Sequence, residues 1–467
     1  MIEKSYFYVL FSMLLAILIV GIGYTGMPII IQPLGKELAL SFLQIQWVSI
    51  SYLLTFSVSI VIAAKIGDVY GNKKILVLGL AAFGIASSIS GVSHLYNELI
   101  VSRLMQGLAA GMILPNATAV ILKSASEGKK HFSLGMLTGV VGISMTVGPA
   151  IAGFLVNYFS WRWFFSIDAP LSILILISVY ICPKIKKTAT AKHVDIVGFM
   201  LFTIPLCLFI IAILTTSQIA HRWWVTFLLL STSIILFVLF FISEKKTKAP
   251  LFDISILTNR PFLLGCALRI LTNLSFYSFI YIISLYLNNN IGFSLIKSGL
   301  LLFPMSLVVG ITAATSGHLI KKHGELPFVV TSCICLSMLY LIFSFAHNMS
   351  AYQIMLLLII PGLCYGLLSS ALVILALKKV KKEHSGIAAG MFYMSTLIGS
   401  LLGVILSTTI VRNNTIYKIS QTNFIHVLLM CSLFTLVALM VIVATKVLSY
   451  RGNINEFSSL QGNWQQK

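Results

Sequence analysis

The chain is a train of long apolar runs separated by short basic connections, and very few folds can use such a pattern. After a first run from about Phe7 to Ile31, further runs fall near 46–66, 75–93, 98–122, 133–158, 163–182, 194–215, 224–242, 262–287, 296–318, 328–346, 352–377, 386–411 and 424–447. A bilayer core about 30 Å thick takes about 20 helical residues to cross, so each run suffices for one passage. The pattern predicts fourteen membrane-spanning helices. The first run is too long for the core of a secretion signal and lacks a small-residue cleavage pattern, so it is read as a span as well. Composition allows nothing soluble. Of 467 residues 58% are hydrophobic and 9% are charged, where soluble domains carry about 25% charged residues.

A net charge of +20 suggests nucleic acid in a soluble chain. Here the basic residues lie in short connections between apolar runs and form no single face, so that reading fails. With the N-terminus placed in the cytoplasm, twenty-four Lys and Arg fall on the inner side. Six fall outside (Lys36, Arg162, Arg222, Lys297, Arg412 and Lys418), and two, Arg103 and Arg269, lie within spans. That bias is the one membrane insertion leaves, and shifting the helix count by one scrambles it. Both termini are therefore expected in the cytoplasm. Seven scattered cysteines, an odd number, form no disulfide framework, and Cys333 and Cys335 point to different helix faces, which disfavours a metal site.

An internal repeat is visible at an offset near 250. Ala64, Ile66 and Gly71 line up with Gly317, Leu319 and Gly324; Gly107 and Gly111 with Gly362 and Gly366; and Gly135, Gly139 and Gly148 with Gly386, Gly390 and Gly399. The expected architecture is all-α and polytopic. A six-helix half (1–187) precedes two inserted helices (188–250) and a second six-helix half (251–450), and a polar, mobile cytoplasmic tail (451–467) follows. Parallel halves of this kind place a substrate site near the bilayer midplane, between them.

Four segments carry chemistry. Between the second and third runs stands Ala64-Lys65-Ile66-Gly67-Asp68-Val69-Tyr70-Gly71-Asn72-Lys73-Lys74, where Gly67 and Gly71 allow a sharp turn and Asp68 can face a helix N-terminus. The fourth run reads Leu99-x-x-x-Arg103-x-x-Gln106-Gly107-x-x-x-Gly111. An arginine inside a span is costly unless paired or wet, so it faces the interior and is functional by default. The fifth carries Gly135, Gly139, Gly142, Ser144, Gly148, Pro149, Ala152 and Gly153, small residues that permit backbone-to-backbone packing plus a proline that bends the helix. The sixth opens Trp161-Arg162-Trp163-Phe164-Phe165-Ser166-Ile167-Asp168-Ala169-Pro170, with Asp168 the one acid clearly within an N-terminal span.

These segments resemble signatures of the major facilitator superfamily, and together they resemble its fourteen-helix drug–proton antiporter branch. The first is similar to the helix 2–3 loop G-x-L-x-D-R-x-G-R-K-x, with Ala64, Val69 and Asn72 as departures. The second is similar to the fourth-helix signature whose arginine is linked to proton coupling. The third is similar to the antiporter signature G-x-x-x-G-P-x-x-G-G, and the fourth to W-R-W-x-F-x-x-N-x-P, with Asp168 in place of asparagine. The resemblance implies export in exchange for protons, with Gly67, Asp68, Gly71, Lys73 and Lys74 as a gating loop and Gly139, Gly148, Pro149 and Gly153 as the antiporter motif. Arg103 and Asp168 are the candidates for proton coupling. The branch also carries an acid in its first helix where this chain has Ile19, and no acid stands in the run 386–411. Coupling therefore rests on Asp168, Asp68, Arg103 and Arg269.

Arg269, Asn273 and Tyr277 share one helix face at i, i+4 spacing, a polar stripe that should line a cavity. With no acid in the C-terminal spans, such a cavity favours anionic or zwitterionic substrates. Tyr24 and Asn116 are further cavity candidates, with Gln46, Tyr365 and Tyr393. No G-x-x-x-x-G-K-[ST] segment exists to cradle ATP, and no catalytic or metal-ligating constellation stands out, so neither an enzyme nor a cofactor is expected. The reading is a monomeric multi-pass transporter of a bacterial inner membrane that expels small hydrophobic compounds. Its partners are the substrate, protons and the bilayer, without ATP or nucleic acid. The alternatives are a facilitator or importer of a specific metabolite, an anionic one included, and a membrane sensor or scaffold that transports nothing.

Overall fold

The computed structural model describes residues 2–126, 129–181, 195–216, 223–247, 256, 258–345, 350–380, 385–411 and 419–464. Among them all regular structure is helical. The N-terminal helices are α1 (Ile2–Thr25), α2 (Met27–Glu37), α3 (Phe42–Tyr70), α4 (Asn72–Val92), α5 (Tyr96–Ser124), α6 (Lys130–Tyr158), α7 (Trp161–Ser166) and α8 (Asp168–Ile181). Next come α9 (Ile196–Thr216) and α10 (Trp223–Lys246). The C-terminal helices are α11 (Arg260–Asn289), α12 (Leu295–His323), α13 (Leu326–Phe345), α14 (Ala351–Leu377), α15 (Ser385–Val411) and α16 (Gln421–Trp464). Fourteen stretches are long and apolar enough to span a membrane, counting α7 with α8 as one. The stretch after Tyr450, expected to be a mobile tail, continues α16 as helix to Trp464. Cys182, Arg222, Arg412 and Lys418 lie outside the described residues.

Two spans break where proline forbids an unbroken helix. The first run, read as continuous to Ile31, ends at Thr25, and the chain restarts as α2 with Pro28 in its first turn. Proline has no N–H to give the carbonyl four residues back. That carbonyl belongs to Tyr24, and it accepts instead from the Tyr277 hydroxyl of α11 at 3.0 Å. Pro170 acts likewise on the sixth span, which parts at Ile167 into α7 and α8 and leaves Asp168 in the first turn of α8.

Helices α1 to α8 pack chiefly on one another, as do α11 to α16, while α9 and α10 form a pair touching α3 and α15 lightly. The two groups meet along α6 with α12 and along α3 with α15. At the α6–α12 seam the backbones touch: a Cβ on Gly142 would lie 2.5 Å from the Cα of Gly310, and one on Gly299 would lie 2.8 Å from the Pro149 carbonyl oxygen. Gly148 presses in the same way against Thr25 and Gly26 of the broken first span. Gly139 has open space on its Cβ side, so it is not part of a backbone contact, and Gly153 is buried. Small residues replace side-chain packing here because lipid supplies no hydrophobic drive between helices.

Candidate functional site

Arg103 is fully buried at the centre of the N-terminal group. Its Nε donates to the Val48 carbonyl (3.2 Å), and its Nη1 donates to the Gly23 carbonyl (3.3 Å) and to Oε1 of Gln106 (2.9 Å). Gln106 is fixed in turn by donating to the Ser87 hydroxyl at 2.8 Å. The guanidinium also lies over the Tyr52 ring, 4.4 Å from its centroid, and 5.5 Å from that of Phe165. One side chain therefore ties α1, α3, α4, α5 and α7 together. Its Nη2 has no hydrogen-bond acceptor.

Asp168 stands one turn beyond Phe165 and is 2% exposed. It interacts electrostatically with Arg103 but forms no ion pair with it, and its Oδ2 is buried without a donor. A carboxylate and a guanidinium, each with an unsatisfied atom, thus share an apolar, aromatic-walled region. Asymmetry of this kind is expensive in a low dielectric, which makes the pair sensitive to whatever proton or polar group reaches it.

Between the two groups of helices the aromatic side chains close ranks. Tyr24 of α1 lies against Tyr52 and Tyr277, with centroids 6.4 and 6.1 Å apart, and Phe56 of α3 lies 6.2 Å from Tyr393 of α15. Beside them a gap too narrow for a water molecule is lined by Tyr24, Met27, Pro28, Ser49, Leu53, Tyr277, Tyr281 and Val404.

The predicted stripe on α11 divides. Tyr277 faces Tyr24, whereas Arg269 and Asn273 turn to α15. Arg269 Nε donates to the Thr396 hydroxyl at 2.8 Å, and Asn273 Nδ2 donates to the Thr396 carbonyl at 2.6 Å and the Ser400 hydroxyl at 2.5 Å. Tyr365 donates to Oδ1 of Asn273. Asn273 is thus held by three residues and is a positioning group.

Asn116 was expected at a cavity, but it stands beneath the Asp68 turn. Its Nδ2 donates to the Ala63 and Met112 carbonyls, and its Oδ1 accepts from Asn72 at 3.0 Å. Asp68 itself lies in the last turn of α3, and the connection to α4 is the single residue Gly71, at φ 107°, where a side chain is strained. Gly67 leaves the space that Asn72 and Asn116 occupy. The partner of Asp68 is not the nearby Lys73 or Lys74 but Lys123, at 3.4 Å from the end of α5, which also donates to Asn72 at 2.7 Å. Lys73 reaches instead to the Tyr180 carbonyl.

Two further charged contacts escaped the motif reading. Glu325, in the turn from α12 to α13, accepts from Lys378 at 2.8 Å. Lys378 follows Lys123 at the offset of the repeat, so the C-terminal group repeats the acid-to-lysine contact of the N-terminal one, with the acid on the other side of its glycine. The Lys378 hydrogen bond holds the Glu325 carboxyl below the ordinary carboxylate range. At the opposite end, Trp161 (Nε1, 2.7 Å) and Arg162 both donate to Glu37, and Arg162 also donates to the Ser93 carbonyl at 3.1 Å. Burial alone pushes the Glu37 carboxyl up, and these two donors together bring it below its ordinary value.

A family model described as Major Facilitator Superfamily matches residues 13–404. The Methylenomycin A resistance protein of Bacillus subtilis (strain 168) is 26% identical over 409 residues, covering 86% of this chain and 87% of its own. The Tetracenomycin C resistance and export protein of Streptomyces glaucescens is 25% identical over 398 residues, covering 84% of this chain and 74% of its own. Among solved structures, the human organic anion transporter MFSD10 (TETRAN) superimposes with a TM-score of 0.64 at 14% identity over 94% of this chain and 99% of that one, a likeness of fold alone.

Proposed function

This chain belongs to the Major Facilitator Superfamily, and from that premise we propose that it expels small hydrophobic compounds from the cytoplasm in exchange for protons. The observation that carries the reading is the buried pair of Arg103 and Asp168, interacting electrostatically without direct contact, each with one unsatisfied atom. A proton arriving on Oδ2 of Asp168 removes a buried negative charge and makes that oxygen a donor. The field at Arg103 then changes, and with it the hold of Arg103 on the Gly23 and Val48 carbonyls. Those carbonyls belong to the two helices that carry Tyr24 and Tyr52, so the effect of the proton on Asp168 is passed to those tyrosines through two hydrogen bonds of Arg103. Relatives named for antibiotic resistance and export support the outward direction.

Alternating access requires the midplane to open. The Tyr277–Tyr24 hydrogen bond and the aromatic contacts around it are what must part, while the α6–α12 backbone seam provides a smooth surface on which the two groups can rock. The Asp68–Lys123 and Glu325–Lys378 contacts sit at the end of the bundle that we assign to the cytoplasm, following the Lys/Arg bias. Each contributes about 0.2–1 kcal/mol, enough to bias one conformation without freezing it.

Efflux of rhodamine 6G and of 2′,7′-dichlorofluorescein from cells expressing the protein tests the reading, before and after an uncoupler and with Asp168→Asn in parallel. Uncoupler-sensitive efflux of either dye, lost in Asp168→Asn, is the expected result. Transport that runs downhill unchanged after the proton gradient collapses would replace antiport by facilitation.

A further inference from the structure

The interior of this bundle holds two guanidiniums, and they are provided for very differently. Arg103 has three protein acceptors and Asp168 in its field. Arg269 is 7% exposed and has one hydrogen-bond acceptor, the Thr396 hydroxyl, which in turn donates to the Phe392 carbonyl. Its Nη1 is buried with no acceptor. No Asp or Glu stands in any of the last six spans, and among the described residues no carboxylate pairs with Arg269. A buried cation without a counter-charge is the costliest arrangement a membrane interior can keep, and it persists where something supplies the missing charge.

The surroundings say what that is. Arg269 lies 5.6 Å from the Tyr365 ring centroid and 5.7 Å from that of Phe392, and Phe276 stacks on Tyr365 at 3.6 Å. Tyr393, three residues before Thr396 on the same helix, meets Phe56 of α3 across the two groups of helices with ring centroids 6.2 Å apart, so the site lies beside the seam that opens when the groups part. Asn273 cannot be the missing partner, because its amide is committed to Thr396, Ser400 and Tyr365. What is left is one strong, desolvated N–H donor with flat aromatic walls beside it.

We propose that Nη1 of Arg269 is the docking point for the acidic group of the transported compound, and that the substrates are amphipathic aromatic anions. The inference rests on the export reading and adds the substrate class to it. The acid bonds to Nη1, the ring system lies against Tyr365 and Phe392, and Asn273 holds the guanidinium's neighbours in register. Release follows when the groups close from the other side and Tyr24 and Tyr393 displace the anion.

The test uses full-length protein in proteoliposomes with an imposed pH gradient and two xanthene dyes of similar size and opposite charge, dichlorofluorescein and rhodamine 6G. Wild type is expected to move dichlorofluorescein. Arg269→Gln should lower its kcat/KM by about ten- to a hundredfold, the weight of one charge-assisted hydrogen bond, and lower that of rhodamine 6G far less. Arg269→Lys, which keeps the charge, should recover part of the loss and also guards against a folding defect in the glutamine variant. Equal loss of both dyes in Arg269→Gln and Arg269→Lys would make Arg269 a structural hub and overturn the proposal. Wild type moving the cation but not the anion would overturn it and leave export standing. Wild type moving neither dye would bring down the export reading and this inference with it.

Discussion

Arg103 shows how much one residue settles in a protein of this kind. A charge within an apolar run has to be answered locally, and the answer here comes from three acceptors and two rings. Lysine would keep the charge but lose the planar fork that serves Val48, Gly23 and Gln106 together. Arg103→Lys should therefore insert normally and lower dye efflux about tenfold or more, measured at matched membrane abundance. Glu325 makes a different kind of statement. Its carboxyl is depressed by Lys378, so the pair stabilises the fold above the unfolded carboxylate value of about 4.3 and loses that contribution as pH falls through the lower folded value. Thermal melts of wild type and Glu325→Gln should differ by the weight of a surface pair, about 0.2–1 kcal/mol, at pH 7 and converge toward pH 3. At this scale charge was legible and neutral polarity was not. Arg103, Asp168 and Arg269 announce themselves by sitting where charge is expensive. Asn116 carries no such signal, since a span asparagine serves a cavity or a neighbouring backbone equally well, and only tertiary contact with Ala63 and Asn72 decides between them.

At the scale of elements, turns and seams do the limiting work. Gly71 is the whole connection between α3 and α4, and its φ of 107° belongs to glycine. Gly71→Ala should cost about 1–2 kcal/mol and shift the Asp68 turn out of register with Lys123, which a lowered melting temperature and reduced efflux would report. Asp68→Asn leaves that geometry in place and removes only the charge facing Lys123. It should reduce transport with insertion and melting temperature nearly unchanged; wild-type transport in that variant would remove the turn from the mechanism. The existence of the spans followed from apolar length, because a bilayer tolerates little else. Their internal breaks were less visible. Pro28 and Pro170 stand in plain view, yet the consequence at Tyr24 depends on Tyr277, 253 residues away, coming to donate to the freed carbonyl. The small residues of α6 forecast close packing, but not that the partner is Gly310 of the other group, nor that Gly139 takes no part.

For the whole molecule, the account joins a buried proton-accepting pair to a midplane that opens and closes. Its parts lie on one line: Asp168, Arg103, the Gly23 and Val48 carbonyls, and then Tyr24 and Tyr52 against Tyr277. The repeat near 250 residues was readable from glycine spacing, and it extends to the paired lysine contacts at Lys123 and Lys378, which glycines alone did not reveal. Fold and family were thus legible throughout the chain; the proposed coupling route was not, because it would run through backbone carbonyls that every residue possesses. The most direct measurement is proton movement driven by substrate alone. Purified protein is placed in vesicles containing a pH-sensitive dye, with no pH gradient imposed, and whichever xanthene dye the cells expel is added on one side. The account predicts a flow of protons opposite to the dye in wild type and none in Asp168→Asn. Dye entry with no proton movement in wild type would contradict it.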